Sequence, residues 1–328
     1  HITNNQQRPL IAEYVHSPAK GTIISVFHII FRNNLHFASL FVCLQQETTC
    51  ALQANVLNIS EHTNITDMKT GGINLVYFSA TYTTRNIVRH IATQMGGSAK
   101  EYDITQAAPE TEVIMGQSDL LIVGMPVYSG RIPSAAFNAL NEFKGNGTPA
   151  IVVCVYGNRD YDDALLELKD IVEVNGFKVV SAGAFIAQHS IFPAVGAGRP
   201  DETDMELIAD FALKSRLIID QTTDIGTLPD ITPKGSYPYK VPGRLPLRPK
   251  GCRKCTQCGT CVKLCPVQAI STDSPRKTDK AKCVACGRCI VVCPADARHF
   301  GGMLYKIAGK KFVKAYTARR EPDIFINQ

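Results

Sequence analysis

A run of four cysteines, Cys255-x2-Cys258-x2-Cys261-x3-Cys265-Pro266, recurs with the same spacing 28 positions later as Cys283-x2-Cys286-x2-Cys289-x3-Cys293-Pro294. Gly259 and Gly287 keep the offset, as do Ala269 and Ala297. Such a duplication predicts two pseudo-symmetric halves. Nine of the chain's twelve cysteines lie between Cys252 and Cys293. A secreted disulfide scaffold is short and cysteine-rich throughout, whereas here a long stretch holding three cysteines precedes the cluster. Metal ligation in a reducing compartment is the better starting point.

Two-residue gaps let a tightly turning loop aim successive thiolates at one centre. Glycine relieves crowding there, and proline ends the loop without a competing backbone donor. A zinc ribbon needs only four ligands, as two pairs, and two complete runs exceed it. The repeat resembles the bacterial two-cluster ferredoxins over about 50 residues, and it is the run that binds cubane 4Fe–4S clusters. In that family the fourth cysteine of each run ligates the other cluster. The resemblance therefore implies one cluster on Cys255, Cys258, Cys261 and Cys293, and a second on Cys283, Cys286, Cys289 and Cys265. Cys252 falls outside the set, and Cys154 is expected to pack inside a strand as a small hydrophobe.

Upstream, residues 72 to 221 alternate short β-rich runs with amphipathic stretches. Strands are predicted at 73–78, 101–105, 119–124, 150–156 and 178–186, and helices at 84–96, 109–116, 133–144, 161–174 and 202–220. Leu120–Gly124 and Ala150–Val155 are continuously apolar, as central strands covered on both faces must be. The fold class is α/β, a doubly wound five-stranded parallel sheet of flavodoxin-like order, followed by a small α+β ferredoxin-like domain. Residues 222–248 hold most of a six-proline series ending at Pro249 and read as a stiff linker. The domain expectation is thus 68–221, the linker 222–248, a cluster domain 249–300 and a basic extension 301–328. Residues 1–67 are expected to be a non-native or disordered leader, because the first methionine is Met68. A signal peptide is the rival reading of that segment. Its apolar runs at 22–31 and 35–44 are shorter than the ~18–20 residues of a membrane span.

Where the first strand turns into the first helix stands Ser79-Ala-Thr-Tyr-Thr-Thr84, the place at which an α/β sheet binds phosphate. Ser79, Thr81, Thr83 and Thr84 offer hydroxyl donors suited to a phosphate monoester; a Ser/Thr-rich helix cap is the plainer alternative. The segment resembles the flavodoxin phosphate loop, with Tyr82 and Thr83 standing where the family has glycine and asparagine. Two further loops leave the ends of strands expected to neighbour the first, Pro126–Pro133 and Tyr156–Tyr161. In flavodoxins the corresponding loops clamp the ring of FMN. The resemblance implies stacking by Tyr128 and Tyr161, with Ser129, Gly130, Gly157 and Asn158 supplying close loop contacts at the ring edge. His189 is a weaker candidate for holding a flavin proton. The acidic run Asp160, Asp162, Asp163 reads as a helix start.

Charge is polarised along the chain. Residues 249–328 hold 16 Lys/Arg against 5 Asp/Glu, a net of +11, while the preceding 248 residues net −5. Two oxidised cubanes, at about −2 each, reduce that excess to roughly +7. The remainder suits an acidic redox partner. No aromatic-basic motif supports nucleic acid, and no membrane partner is expected. From Met68 onward the pattern resembles the flavodoxin–ferredoxin fusion proteins, or iron–sulfur flavoproteins. That implies a cytoplasmic electron carrier with one FMN and two 4Fe–4S clusters. A flavin-dependent reductase of a small substrate and a redox sensor are the alternatives.

Overall fold

The computed structural model describes residues 71–327 apart from Arg244, together with two strands, Ala12–His16 and Ile23–Phe27, which pair antiparallel in a separate unit. The leader expectation for residues 1–67 otherwise lies outside the described residues.

Strands β1 (Gly72–Tyr77), β2 (Ala99–Asp103), β3 (Asp119–Pro126), β4 (Thr148–Tyr156) and β5 (Phe177–Ile186) pair in parallel in the order β2-β1-β3-β4-β5. This is the flavodoxin-like order, with its switch point between β1 and β3. Both faces of the central strands are apolar because both are covered. On β3, Leu121, Val123 and Met125 enter one core, and Leu120 and Ile122 the other. On β4, Val152 and Cys154 oppose Ile151 and Val153 in the same way.

Helices α1 (Thr83–Met95) and α3 (Glu202–Gln221) seal one face through Ile87, Ile91, Ile208 and Phe211. Helix α2 (Ala164–Val174) seals the other through Leu165, Leu168 and Val172. Gly124 on β3 lets α1 approach closely, since a Cβ there would lie 2.4 Å from Val88 Cγ1.

Two predicted helices differ. Residues 109–116 hold a short strand, Val113–Met115, paired in parallel with Phe143–Gly145. Val113 N–H donates to Glu142 O at 2.7 Å, and Thr148 Oγ1 donates to Met115 O, which fixes the strand from outside its own sequence. The 133–144 prediction shrinks to one turn, Phe137–Leu140, before that same strand.

The cluster domain is built on two strands, β6 (Lys250–Gly251) and β7 (Arg298–His299), paired antiparallel, with one-turn helices α4 (Thr260–Lys263) and α5 (Arg288–Val291). The 28-residue offset recurs in the backbone. Gln257 and Ala285, Gly259 and Gly287, and Gln268 and Asp296 all adopt positive φ in corresponding pairs.

The sheet gains a sixth strand that the five-strand expectation lacks. After helix α6 (Met303–Tyr316), strand β8 (Asp323–Ile326) pairs antiparallel with β5 and covers its edge. The linker is strapped to α2 and its N-terminal turn. Asp163 accepts from the Ser236 and Lys240 N–H groups, and Tyr237 and Tyr239 both donate to Asp170. Among the described residues no helix is long and apolar enough to cross a membrane.

Candidate functional site

At the carboxyl ends of β1, β3, β4 and β5 lies a cleft of about 380 Å³. Its floor is Thr81, Thr83 and Thr84. The loops after β3 and β4 form its sides with Tyr128, Ser129, Gly130, Tyr156 and Gly157, and the segment Gln188–Phe192 closes one end.

The phosphate loop is shaped by its own bonds. Ser79 N–H donates to Thr105 Oγ1 at 2.8 Å, and Ser79 Oγ accepts from Arg85 N–H at 3.0 Å. Tyr82 takes the left-handed conformation, φ 67° and ψ −10°, that the family's glycine would take freely. Tyr82 gives helix α1 no side-chain cap and Ser79 Oγ takes the Arg85 amide, which leaves the Thr83 and Thr84 amides at the cleft floor, where both residues line it. In the β3 loop, Tyr128 and Arg131 exchange backbone hydrogen bonds across Ser129 (φ 55°) and Gly130 (φ 88°), a tight two-residue turn. Tyr128 is held edge-on against Phe78, 6.3 Å between ring centres. Burial pushes its phenol well above the ordinary tyrosine range, and the neighbouring Cys286 adds to the shift.

Three residues predicted from sequence to bind cofactor turn elsewhere. Ser79 is an internal strut of the loop, 2% exposed, and does not line the cleft. Asn158 is buried and its Nδ2 donates to Tyr316 O and Ala318 O, pinning the C-terminal extension. Tyr161 lies in the core against Tyr156, with its hydroxyl donating to Asp323 Oδ2 at 2.7 Å, so it is not a ring-stacking wall.

His189 does line the cleft, but its Nδ1 accepts from the Ile191 and Phe192 N–H groups at 3.1 and 3.2 Å. Burial lowers its pKa to about 4, so the ring is neutral at neutral pH. Through Nδ1 it holds the loop that follows it.

The sequence reading missed the wall contributed by α6. Leu304, Ala308 and Phe312 reach the cleft, and Phe312 packs on His189 and Phe192 at 4.8 and 4.9 Å between ring centres. The apolar spacing Leu304-x3-Ala308-x3-Phe312 was the available signal. Also missed was Val284-Ala285-Cys286, by which the cluster domain walls the cleft.

The cysteines gather as two crossed sets. Cys255, Cys258, Cys261 and Cys293 surround one cavity, and Cys265, Cys283, Cys286 and Cys289 surround another. Backbone amides point at sulfur in matching positions: Ala269 N–H to Cys265 Sγ at 3.3 Å and Ala297 N–H to Cys293 Sγ at 3.2 Å. Such donors stabilise thiolate ligands. Among the described residues no three His, Cys, Asp or Glu converge on a single-ion site.

Each set has a buried cysteine, Cys261 in one and Cys286 and Cys289 in the other, and the one exposed member among the eight is Cys258. Burial pushes the Cys286 and Cys289 thiols up to about 12 and about 11. Between the sets lies Arg298, 2% exposed, bonded to Pro249 O, Pro275 O and Thr278 Oγ1, with Nη1 4.0 Å from Cys261 Sγ. Cys252 joins neither cavity, and Cys154 packs within β4.

Residues 82–191 match the family model of the NADPH-dependent FMN reductases, and residues 254–297 match the 4Fe–4S dicluster domain. Among solved structures, the chain is similar to the flavodoxin of Streptococcus pneumonia TIGR4, with 20% identity, 43% of this chain and 94% of that one covered, and a TM-score of 0.31. It is also similar to the FMN-bound flavodoxin of Fusobacterium nucleatum, with 18% identity, coverage of 44% and 95%, and a TM-score of 0.33. No curated protein matches it. FMN and 4Fe–4S clusters are the cofactors of these two domains. The residues present fit them: a threonine-lined helix start and an apolar-walled cleft for the one, two four-thiol cavities with amide donors for the other.

Proposed function

We propose, for a chain that belongs to the flavodoxin–ferredoxin fusion proteins, that FMN in the cleft and two 4Fe–4S clusters form one internal electron route between the flavin and a separate redox protein. The observation that carries this reading is the position of Cys286, which lines both the flavin cleft and the cavity of its own cysteine set. When bound, FMN exchanges electrons in pairs or singly and each cluster exchanges one, so the pairing joins two-electron to one-electron chemistry.

In this reading Thr81, Thr83, Thr84 and the first amides of α1 hold the phosphate. Tyr128 walls the ring, and the backbone of Ser129, Gly130 and Gly157 meets its edge. Ser79, Asn158 and Tyr161 act behind the site as struts. Cys265, Cys283, Cys286 and Cys289 hold the cluster near the flavin. Cys255, Cys258, Cys261 and Cys293 hold the outer one, whose Cys258 is open to solvent. Exposed Arg253, Lys254, Lys263, Arg276 and Lys277 surround that side in sequence and suit an acidic partner. Thiolate-held clusters fit a reducing, cytoplasmic setting.

Anaerobic purification with iron, sulfide and flavin quantitation tests the reading. About eight irons and one FMN per chain are expected. Fewer than about four irons and no flavin after full reconstitution would refute it.

A second reading, a flavin reductase of a small substrate, draws on a cavity of about 680 Å³ that shares Tyr128 and Ser129 with the cleft. Steady-state turnover of a small acceptor with a reductant alone favours it; dependence on a protein partner favours the first.

A further inference from the structure

The two halves of the cysteine repeat differ at one buried charge. Arg288 stands between Cys286 and Cys289, while the corresponding position 28 residues earlier is Thr260. A cluster loop of this type does not itself require the arginine. Arg288 is 7% exposed; its backbone O accepts from Val292 N–H within its own loop, but its side chain reaches out of that loop. Its Nη1 donates to Ser79 O and Ala80 O, at 3.4 and 3.3 Å, on the phosphate loop. Its guanidinium also lies 4.7 Å from the centre of the Tyr82 ring, which carries Arg85 at 4.6 Å as well. The backbone approaches too: a Cβ on Gly287 would lie 3.4 Å from Thr81 Cγ2.

A guanidinium is tolerated in such a place only when its charge is met by acceptors and π-faces, and here the phosphate loop supplies both. Tyr82 is also the residue that holds the left-handed turn opening α1. The cluster ligand loop and the phosphate loop are therefore braced on each other through a single side chain.

We propose that Arg288 is a positioning residue that couples the binding of the two cofactors. When the cluster on Cys265, Cys283, Cys286 and Cys289 is in place, it fixes the 286–289 loop, and Arg288 then holds Ser79–Tyr82 in the shape that binds the FMN phosphate. Loss of that cluster frees Arg288 and weakens FMN binding. By linkage, FMN strengthens retention of the cluster by the same factor. This rests on the reading of the cleft as the FMN site and adds a dependence that the reading does not contain.

The test is FMN affinity, read by quenching of flavin fluorescence under anaerobic conditions, for cluster-loaded and chelator-stripped protein, as wild type and as Arg288→Gln. Wild type is expected to bind FMN about tenfold more tightly when loaded, a typical coupling. Arg288→Gln is expected to keep its full iron content but to lose most of that difference, by weaker binding in the loaded form alone. Arg288→Lys, which keeps the charge without the planar stack, is expected to restore part of it. Should the glutamine variant fail to fold, wild type alone decides: iron release to a chelator must slow when FMN is present. Equal FMN affinity of loaded and stripped wild type, or an undiminished difference in Arg288→Gln, overturns the coupling and leaves the flavin site standing. Absence of FMN binding by every form overturns both.

Discussion

Protonation of His189 should loosen the cleft, and the size of the effect follows from its burial. The ring's Nδ1 accepts two backbone N–H bonds and its faces meet Phe192 and Phe312, so the neutral form is the one the fold holds. Its pKa falls from 6.5 to about 4. Above pH 6.5 the histidine is neutral in folded and unfolded chains alike, and its contribution to stability is fully present. Below that, the unfolded chain takes up the proton first, and the contribution drains away as pH falls toward 4. The full shift corresponds to about 3 kcal/mol, and the part lost between pH 7.5 and pH 5 to about 2 kcal/mol. His189→Asn is the informative variant, because its Oδ1 can accept the same two N–H bonds but cannot be protonated. It loses ring packing at every pH, so its absolute stability falls. Urea unfolding followed by circular dichroism at pH 7.5 and pH 5 should show wild type losing about 2 kcal/mol more than the variant over that interval. An equal loss in both would refute the reasoning, and would return His189 to consideration as a proton carrier.

Tyr128→Ala should weaken FMN binding at least about tenfold, whereas Tyr161→Phe should leave FMN affinity within about twofold and cost about 1 kcal/mol of stability through the lost bond to Asp323; fluorescence titration and urea unfolding read both. Gly124→Ala drives a Cβ into Val88 and should lower stability by about 1–3 kcal/mol, visible as a fall in Tm. Removing residues 319–328 uncovers the edge of β5 and the bonds of Arg319 to Asp201 and Asp204, and light scattering should show self-association that the full chain does not. Lys254→Glu with Lys263→Glu should slow electron exchange with an acidic partner protein and flatten its dependence on salt, as stopped-flow mixing would record.

What could be read from the sequence was whatever local pattern decides alone. The continuous apolar runs of β3 and β4 announced central strands, the 28-residue offset announced two cysteine-lined halves, and the ferredoxin resemblance implied their crossing. Residues 109–116 could not be read this way, because their strand is defined by pairing with Phe143–Gly145 and by Thr148, which lie some thirty residues on. Asn158 and Tyr161 carry the right chemistry in the right loop. Their partners, Tyr316, Ala318 and Asp323, come from an extension for which composition gave no register. Tyr82 looked like a departure from a glycine position; in the fold it adopts the glycine's conformation and lends its ring to Arg288. Such contacts between loops about 200 residues apart have no periodicity to reveal them.

A shared electron route of flavin and clusters has Cys286 at its junction. Anaerobic redox titration followed by optical and electron paramagnetic resonance spectra measures it most directly. Signals from one flavin and two 4Fe–4S clusters are expected in the same chain, with the flavin radical relaxing fast because a paramagnetic cluster lies beside it. A flavin radical with the slow relaxation of an isolated flavin while both clusters are reduced would contradict it.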